Sequence, residues 1–169
     1  EHGFIAFFTE VSNAPGAIEA SKVLDAYGAL PGHITETADA DSAFTQAKPE
    51  GPPCYATLPI ELWSDAMKKM EKPMLLIEQN IYGHQRASNI WETHCDGEVQ
   101  AEDFKPIGEA WNSTYWHVVL RVLLFIYVDD FKLSGPLHAV REAWRRLRKR
   151  IMMSDPEIAD RFLGCQHNI

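Results

Sequence analysis

The sequence predicts an α+β fold, an antiparallel sheet backed by helices, and three stretches carry that expectation. Val118 to Gly135 (VVLRVLLFIYVDDFKLSG) reads as a buried β-hairpin: a β-branched apolar run, two adjacent acids, a second short apolar run and a Ser-Gly stop. Pro136 opens an amphipathic helix whose stripe is Leu137, Val140, Trp144, Leu147 and Ile151. His33 to Ala38 alternates as a strand does and delivers Asp39 to its end, just before a helix start. At 169 residues with 46% apolar content, the chain has enough material for one domain with a sizeable core.

The remaining elements follow in order. Phe4 to Val11 is a short apolar strand candidate. Ser12-Asn13 can cap a helix entered at Pro15, with Ala20, Val23, Leu24 and Tyr27 on one face and Pro31-Gly32 as its stop. After Asp39, Asp41 and Ser42 look like the cap of a helical turn through Ala43-Phe44. Pro49 to Pro53 is a turn and Cys54 to Leu58 a short strand. Pro59 opens a helix with Leu62, Trp63, Ala66, Met67 and Met70 on its apolar side. Pro73 to Ile77 reads as a buried strand, broken at Tyr82-Gly83. A helix from about Arg86 to Ala101 puts Ala87, Ile90, Trp91 and His94 on one face, His94 as a hydrogen-bonded core residue. Phe104 to Trp116 is a strand pair, and Phe162-Leu163-Gly164 begins a last strand.

Composition narrows the function classes. A net charge of −8 argues against a protein that simply coats nucleic acid, but not against a nucleic-acid enzyme. The basic residues are concentrated: Arg141, Arg145, Arg146, Arg148, Lys149 and Arg150 crowd one segment, as a solvated or a phosphate-contacting face. Cys54, Cys95 and Cys165 are widely spaced and form no CxxC pair, so neither a zinc site nor a disulfide framework is expected, and a reducing, intracellular compartment fits. No apolar run reaches membrane-span length, and the start lacks the basic region and cleavage site of a signal peptide, so no membrane partner is expected.

Asp129 and Asp130 need an explanation. They are either solvated turn residues or half of a divalent-cation site, because adjacent carboxylates repel and a cation relieves the repulsion. Asp39, 90 positions before Asp129, supplies the missing acid at a strand end. Neighbouring side chains in a strand point to opposite faces, so only one of Asp129 and Asp130 can face Asp39 squarely. The expectation is Asp129 as the direct metal ligand with Asp39, and Asp130 as the less direct partner. Such acids can hold two Mg²⁺ ions, with Mn²⁺ able to substitute: one lowers the pKa of an attacking 3′-hydroxyl and the other holds a triphosphate.

The string IYVDDFKLSG resembles the YVDD box of reverse transcriptases. Further stretches resemble the copia-type retrotransposon branch, in order. ADADSAF (Ala38 to Phe44) is similar to LDVKTAF, and PPCYATLP (Pro52 to Pro59) to IYMEQP. LIEQNIYGHQRASNIW (Leu76 to Trp91) is similar to KALYGLKQAPRAW through Tyr82, Gly83, Ala87 and Trp91, and DRFLGC (Asp160 to Cys165) to KYFLGI. The resemblance implies a polymerase palm with part of the fingers, truncated: about 1–38 and 47–85 fingers-like, 39–46 and 86–169 palm. Thumb, RNase H and integrase would belong to other parts of a retroelement polyprotein. It implies RNA-directed DNA synthesis from dNTPs on a primed RNA or DNA template, in a cytoplasmic particle or the nucleus. The alternative is a palm that binds nucleic acid without catalysis.

Residue by residue, the resemblance makes Asp39, Asp129 and Asp130 the catalytic, metal-holding acids. It places the nucleotide at Asp41, Ser42 and Ala43, whose backbone would receive the triphosphate. Phe44 would lie under the sugar, and at Gly83 a base would approach the backbone closely. It assigns Tyr127, Phe162, Leu163 and Gly164 to the primer or template. Two departures stand out: Asp41-Ser42 replaces the family's usual Lys-Thr, and Arg86, Ser88 and Asn89 replace Gln, Pro and Arg.

Overall fold

The computed structural model describes residues 18–49 and 51–166. The strand at Phe4 to Val11 and the helix entry at Ser12 to Pro15 lie outside these residues. In chain order the described elements begin with α1 (Ile18–Gly28), β1 (His33–Asp39), the single turn α2 (Ala43–Gln46), β2 (Tyr55–Ala56), β3 (Leu75–Leu76) and α3 (Ala87–Gln100). They continue with β4 (Phe104–Pro106), β5 (Thr114–His117), β6 (Val122–Tyr127), β7 (Asp130–Pro136), α4 (Leu137–Leu147), β8 (Glu157–Ile158), β9 (Arg161–Phe162) and β10 (Cys165–Gln166). The fold is mixed α+β. Its centre is a six-stranded antiparallel sheet in the order β4-β5-β6-β7-β1-β8. Among the described residues no helix is long and apolar enough to cross a membrane.

Strand alternation divides the sheet into two unlike faces. Val122, Leu124 and Ile126 of β6, Phe131 and Leu133 of β7 and Ala38 of β1 turn to one side. They pack there with Ile90, Trp91, Cys95 and Val99 of α3 and Val140, Ala143, Trp144 and Leu147 of α4. Each large side chain buried here contributes roughly 1.5–3 kcal/mol, so this layer dominates the stability. The other side carries Phe125, covered by Ala20 and Leu24 of α1 and by Phe162. It is largely polar: Thr35 of β1 and Ser134 of β7 share a hydrogen bond of 2.8 Å, and Lys132 of β7 is fully buried. Helix α1 sits close because its last residue has no side chain. A Cβ on Gly28 would fall 1.8 Å from the Thr35 Oγ1.

Three expected elements differ. The apolar run from Val118 is not one strand. His117 pairs with Val122, so Val118 to Arg121 reverse the chain. Val118 and Val119 are 60% and 83% exposed, Arg121 takes φ 55°, and its N–H donates to the His117 carbonyl at 2.8 Å. Composition alone could not separate a long strand from two short ones joined by an apolar turn. The helix expected from Pro59 is two 3₁₀ turns, Ile60–Leu62 and Met67–Lys69. Leu62 and Met70 of its intended stripe are exposed, and without a surface to bury on, a short helix does not repay its nucleation. The buried strand expected at Pro73 to Ile77 is an exposed two-residue ribbon, β3, paired with β2. Residues 18–38, grouped above with the fingers-like segment, pack here as α1 and β1 of the main sheet body.

Candidate active site

The loop between β6 and β7 is only two residues long, because Tyr127 pairs with Asp130. The acids therefore separate: Asp129 is in the turn and Asp130 is the first residue of β7. Val128 takes the left-handed conformation, φ 59°, at the first turn position, which a β-branched residue occupies only under strain. Two contacts hold it there. The Trp91 indole Nε1–H donates to the Val128 carbonyl at 2.7 Å, and the Ala40 N–H donates to the Asp129 carbonyl at 2.7 Å. Helix α3 and the end of β1 thus fix the hairpin tip from both sides.

Asp39 is the last residue of β1 and lies directly across from Asp130. The expected facing is corrected: Asp130, not Asp129, lies across the strands from Asp39. The register decides it. With the chain reversing at Val128-Asp129, Asp130 falls on the same side as Lys132 and Ser134, where Asp39, Thr37 and Thr35 point from β1. The Asp130 and Asp39 carboxyls are close enough to interact. Partial burial raises the Asp130 pKa from 3.8 to about 6, helped by that interaction and by the charges of Asp129 and Asp39. Asp39 and Asp129 are both exposed. Among the described residues no three His, Cys, Asp or Glu side chains converge as a ready-made metal cage.

Asp39 is also held by its backbone. Its N–H donates to the Ser154 Oγ at 3.0 Å, and its carbonyl accepts from the Ser154 N–H at 2.9 Å. The Asp41 N–H donates to the Met152 carbonyl at 2.9 Å. Gln46 closes this strap: its Nε2 donates to the carbonyls of Asp41 and Met152 at 2.7 and 2.8 Å, and its Oε1 accepts from the Met152 N–H at 2.9 Å. Ser42 does not cap α2 with its side chain as expected. It sits at φ 49° with no side-chain capping bond, and its carbonyl accepts from the Thr45 N–H and Oγ1–H instead.

The nucleotide candidates are brought together in part. Asp41 and Ser42 are exposed beside Asp39, and Ala43 is buried in the core. Phe44 is half-buried against the exposed Tyr82 ring, 4.7 Å between centroids, which joins the first motif to the stretch carrying Gly83. Gly83 takes φ +87°, and an added Cβ would meet nothing within 4 Å, so its requirement is conformational rather than steric. The primer candidates gather on the Asp130 side of the sheet. Phe162 packs on Phe125 with Tyr127 and Leu163 beside it, and Leu163-Gly164 is the tight turn between β9 and β10, with φ 48° and 77°.

Sequence reasoning passed over Trp91 as a hairpin anchor, Gln46 and Ser154 as the strap, and Lys132. Lys132 lies two residues from Asp130 on the same face. It pairs with Asp25 at 2.5 Å, donates to the Ser21 Oγ at 3.0 Å and lies 4.9 Å from the Phe162 ring centroid. A lysine in an otherwise buried strand was the available signal. Its partners came from a helix more than a hundred positions away. Comparison with known proteins finds no matching family model, no matching curated protein and no matching solved structure.

Proposed function

We propose that this chain is the palm, with part of the fingers, of a copia-type retroelement reverse transcriptase, and that its reaction is RNA-directed DNA synthesis by nucleotidyl transfer. The observation that carries the reading is the Asp39–Asp130 carboxyl pair. Two distant sequence motifs are set face to face across β1 and β7, with Asp129 next to them in the turn. Two facing carboxyls with one raised pKa are short of positive charge. Oxygen donors of this kind suit Mg²⁺, which is commonly held by one or two carboxylates and completed by substrate phosphates and water, so no protein cage is required. Asp39, Asp130 and Asp129 would hold the ions, which when bound supply charge stabilisation for the leaving pyrophosphate and acidify the 3′-hydroxyl.

The chain's own residues supply position. The Ser154 and Gln46 strap fixes the direction of Asp39, and Trp91 fixes the hairpin that carries Asp129 and Asp130. Asp41, Ser42, Phe44, Tyr82 and Gly83 lie on the nucleotide side of this reading. Tyr127, Phe162, Leu163 and Gly164 lie on the primer side, the β9–β10 turn steadying the primer end. Template, dNTPs and the remaining parts of a polyprotein are the partners it requires.

The test is primer extension on an RNA template with Mg²⁺, using the chain alone and joined to upstream and downstream segments. Incorporation by at least one form, lost roughly a hundredfold or more in Asp39→Asn, is the expected outcome. No incorporation by any form, or incorporation that survives Asp39→Asn, refutes the reading.

A further inference from the structure

Asp39 and Asp130 occupy one face of the sheet. On the other, α4 borders an open cleft of about 500 Å³ lined by Glu36, Arg141, Trp144, Arg145, Arg148 and Lys149. We propose that this cleft binds a phosphate group, free or in a nucleic-acid backbone, as a site separate from the acid pair. Residues 141, 145 and 148 recur at i, i+4 and i+7, so their guanidinium groups share one helical face. Four cations and one carboxylate line the cleft, in a chain whose net charge is −8.

Not all of that charge is already paired. Arg145 binds Glu142 at 2.6 Å, and Arg148 binds Asp155 at 2.7 Å, whose side chain is 87% exposed. Arg141 and Lys149 have no ion-pair partner among the described residues. Trp144 of α4 forms part of the cleft wall. Trp144 is 3% exposed, and its Nε1–H has no acceptor among the described residues. Its ring sits in the wall of the cleft, so the indole resonance reports on what enters it. Guanidinium forks and an ammonium together match a tetrahedral oxyanion with several acceptor oxygens. Glu36 opposes the anion and limits the cleft to ligands that engage several cations at once.

The experiment follows the Trp144 indole resonance by NMR, assigned with Trp144→Phe, during titration with pyrophosphate and, separately, with a short single-stranded RNA at low salt. Binding of each probe is also measured for the Arg141→Gln/Lys149→Gln double variant. These exposed positions should not disturb the fold, and an unchanged amide spectrum confirms that. The proposal expects the indole resonance to move, and affinity to fall roughly tenfold in the double variant with a shallower salt dependence. A response to pyrophosphate alone identifies a free phosphate. A response to RNA that pyrophosphate competes away identifies the backbone. An unmoved indole with both probes, affinity indifferent to the double substitution, or equal competition by a polyglutamate peptide overturns the proposal. Because the readout needs no catalysis, it stands or falls separately from the polymerase reading.

Discussion

At the scale of single residues, the site rests on one strained turn and one carboxyl pair. Val128 at φ 59° places the reversal one residue earlier than an Asp-Asp turn would, and that puts Asp130 rather than Asp129 opposite Asp39. The raised pKa of Asp130 has a consequence in metal-free protein. Because the folded state holds this proton more tightly than the unfolded chain, its stabilising contribution is complete below about pH 4 and is lost as pH rises through about 6. Asp130 is only partly buried, so screening reduces the effect to about 1 kcal/mol. Denaturant melts between pH 4 and 7 should show this loss in the wild type and not in Asp130→Asn.

At the scale of elements, helix α3 positions the hairpin that carries Asp129 and Asp130. Its Trp91 is 2% exposed and donates to the carbonyl of the strained Val128. Trp91→Phe keeps most of the apolar contact and leaves that carbonyl unpaired. A cost of about 1–2 kcal/mol is expected by denaturant unfolding, together with a lower nucleotide-incorporation rate at unchanged primer affinity. The farther end of α3 is anchored separately, through Glu98 and, just past the helix, Glu102, to Arg150 at 3.1 and 2.5 Å. The helix should therefore stay in place while the hairpin tip loosens.

Elements with strong periodicity were legible in the sequence. The α3 and α4 stripes, the β1 alternation and the apolar β6 each announce a face that finds a partner in the core. The stretch from Cys54 to Ile77 was not legible, because its apolar residues meet no core. Tyr55, Ile60, Leu62, Met70, Met74, Leu75 and Leu76 are exposed, and local pattern cannot report whether a partner surface exists. The three acids were found from sequence, but which of them face each other was not. That depends on a one-residue choice of register, which only the packed sheet and the Trp91 and Ala40 bonds to the turn decide.

At the scale of the whole molecule, stability is distributed unevenly. The sheet is clamped by α3 and α4 on one side and covered by α1 and the β9–β10 turn on the other, while the regular structure described within residues 51–85 is the two-residue ladder between β2 and β3 and short 3₁₀ turns. Limited proteolysis should therefore cut first within 51–85, leaving a protected fragment that contains α3 through α4. First cleavage inside the β6–β7 hairpin would contradict this ordering.

The central claim is that Asp39 and Asp130 act as one unit across the sheet. The most direct measurement is a double-mutant cycle of single-turnover nucleotide incorporation with Asp39→Asn, Asp130→Asn and both together, in the form of the protein that extends a primer. If the pair works as a unit, each single substitution removes nearly all activity and the double variant is no worse than either. Effects that multiply independently, or a single variant that retains wild-type incorporation, would contradict the claim.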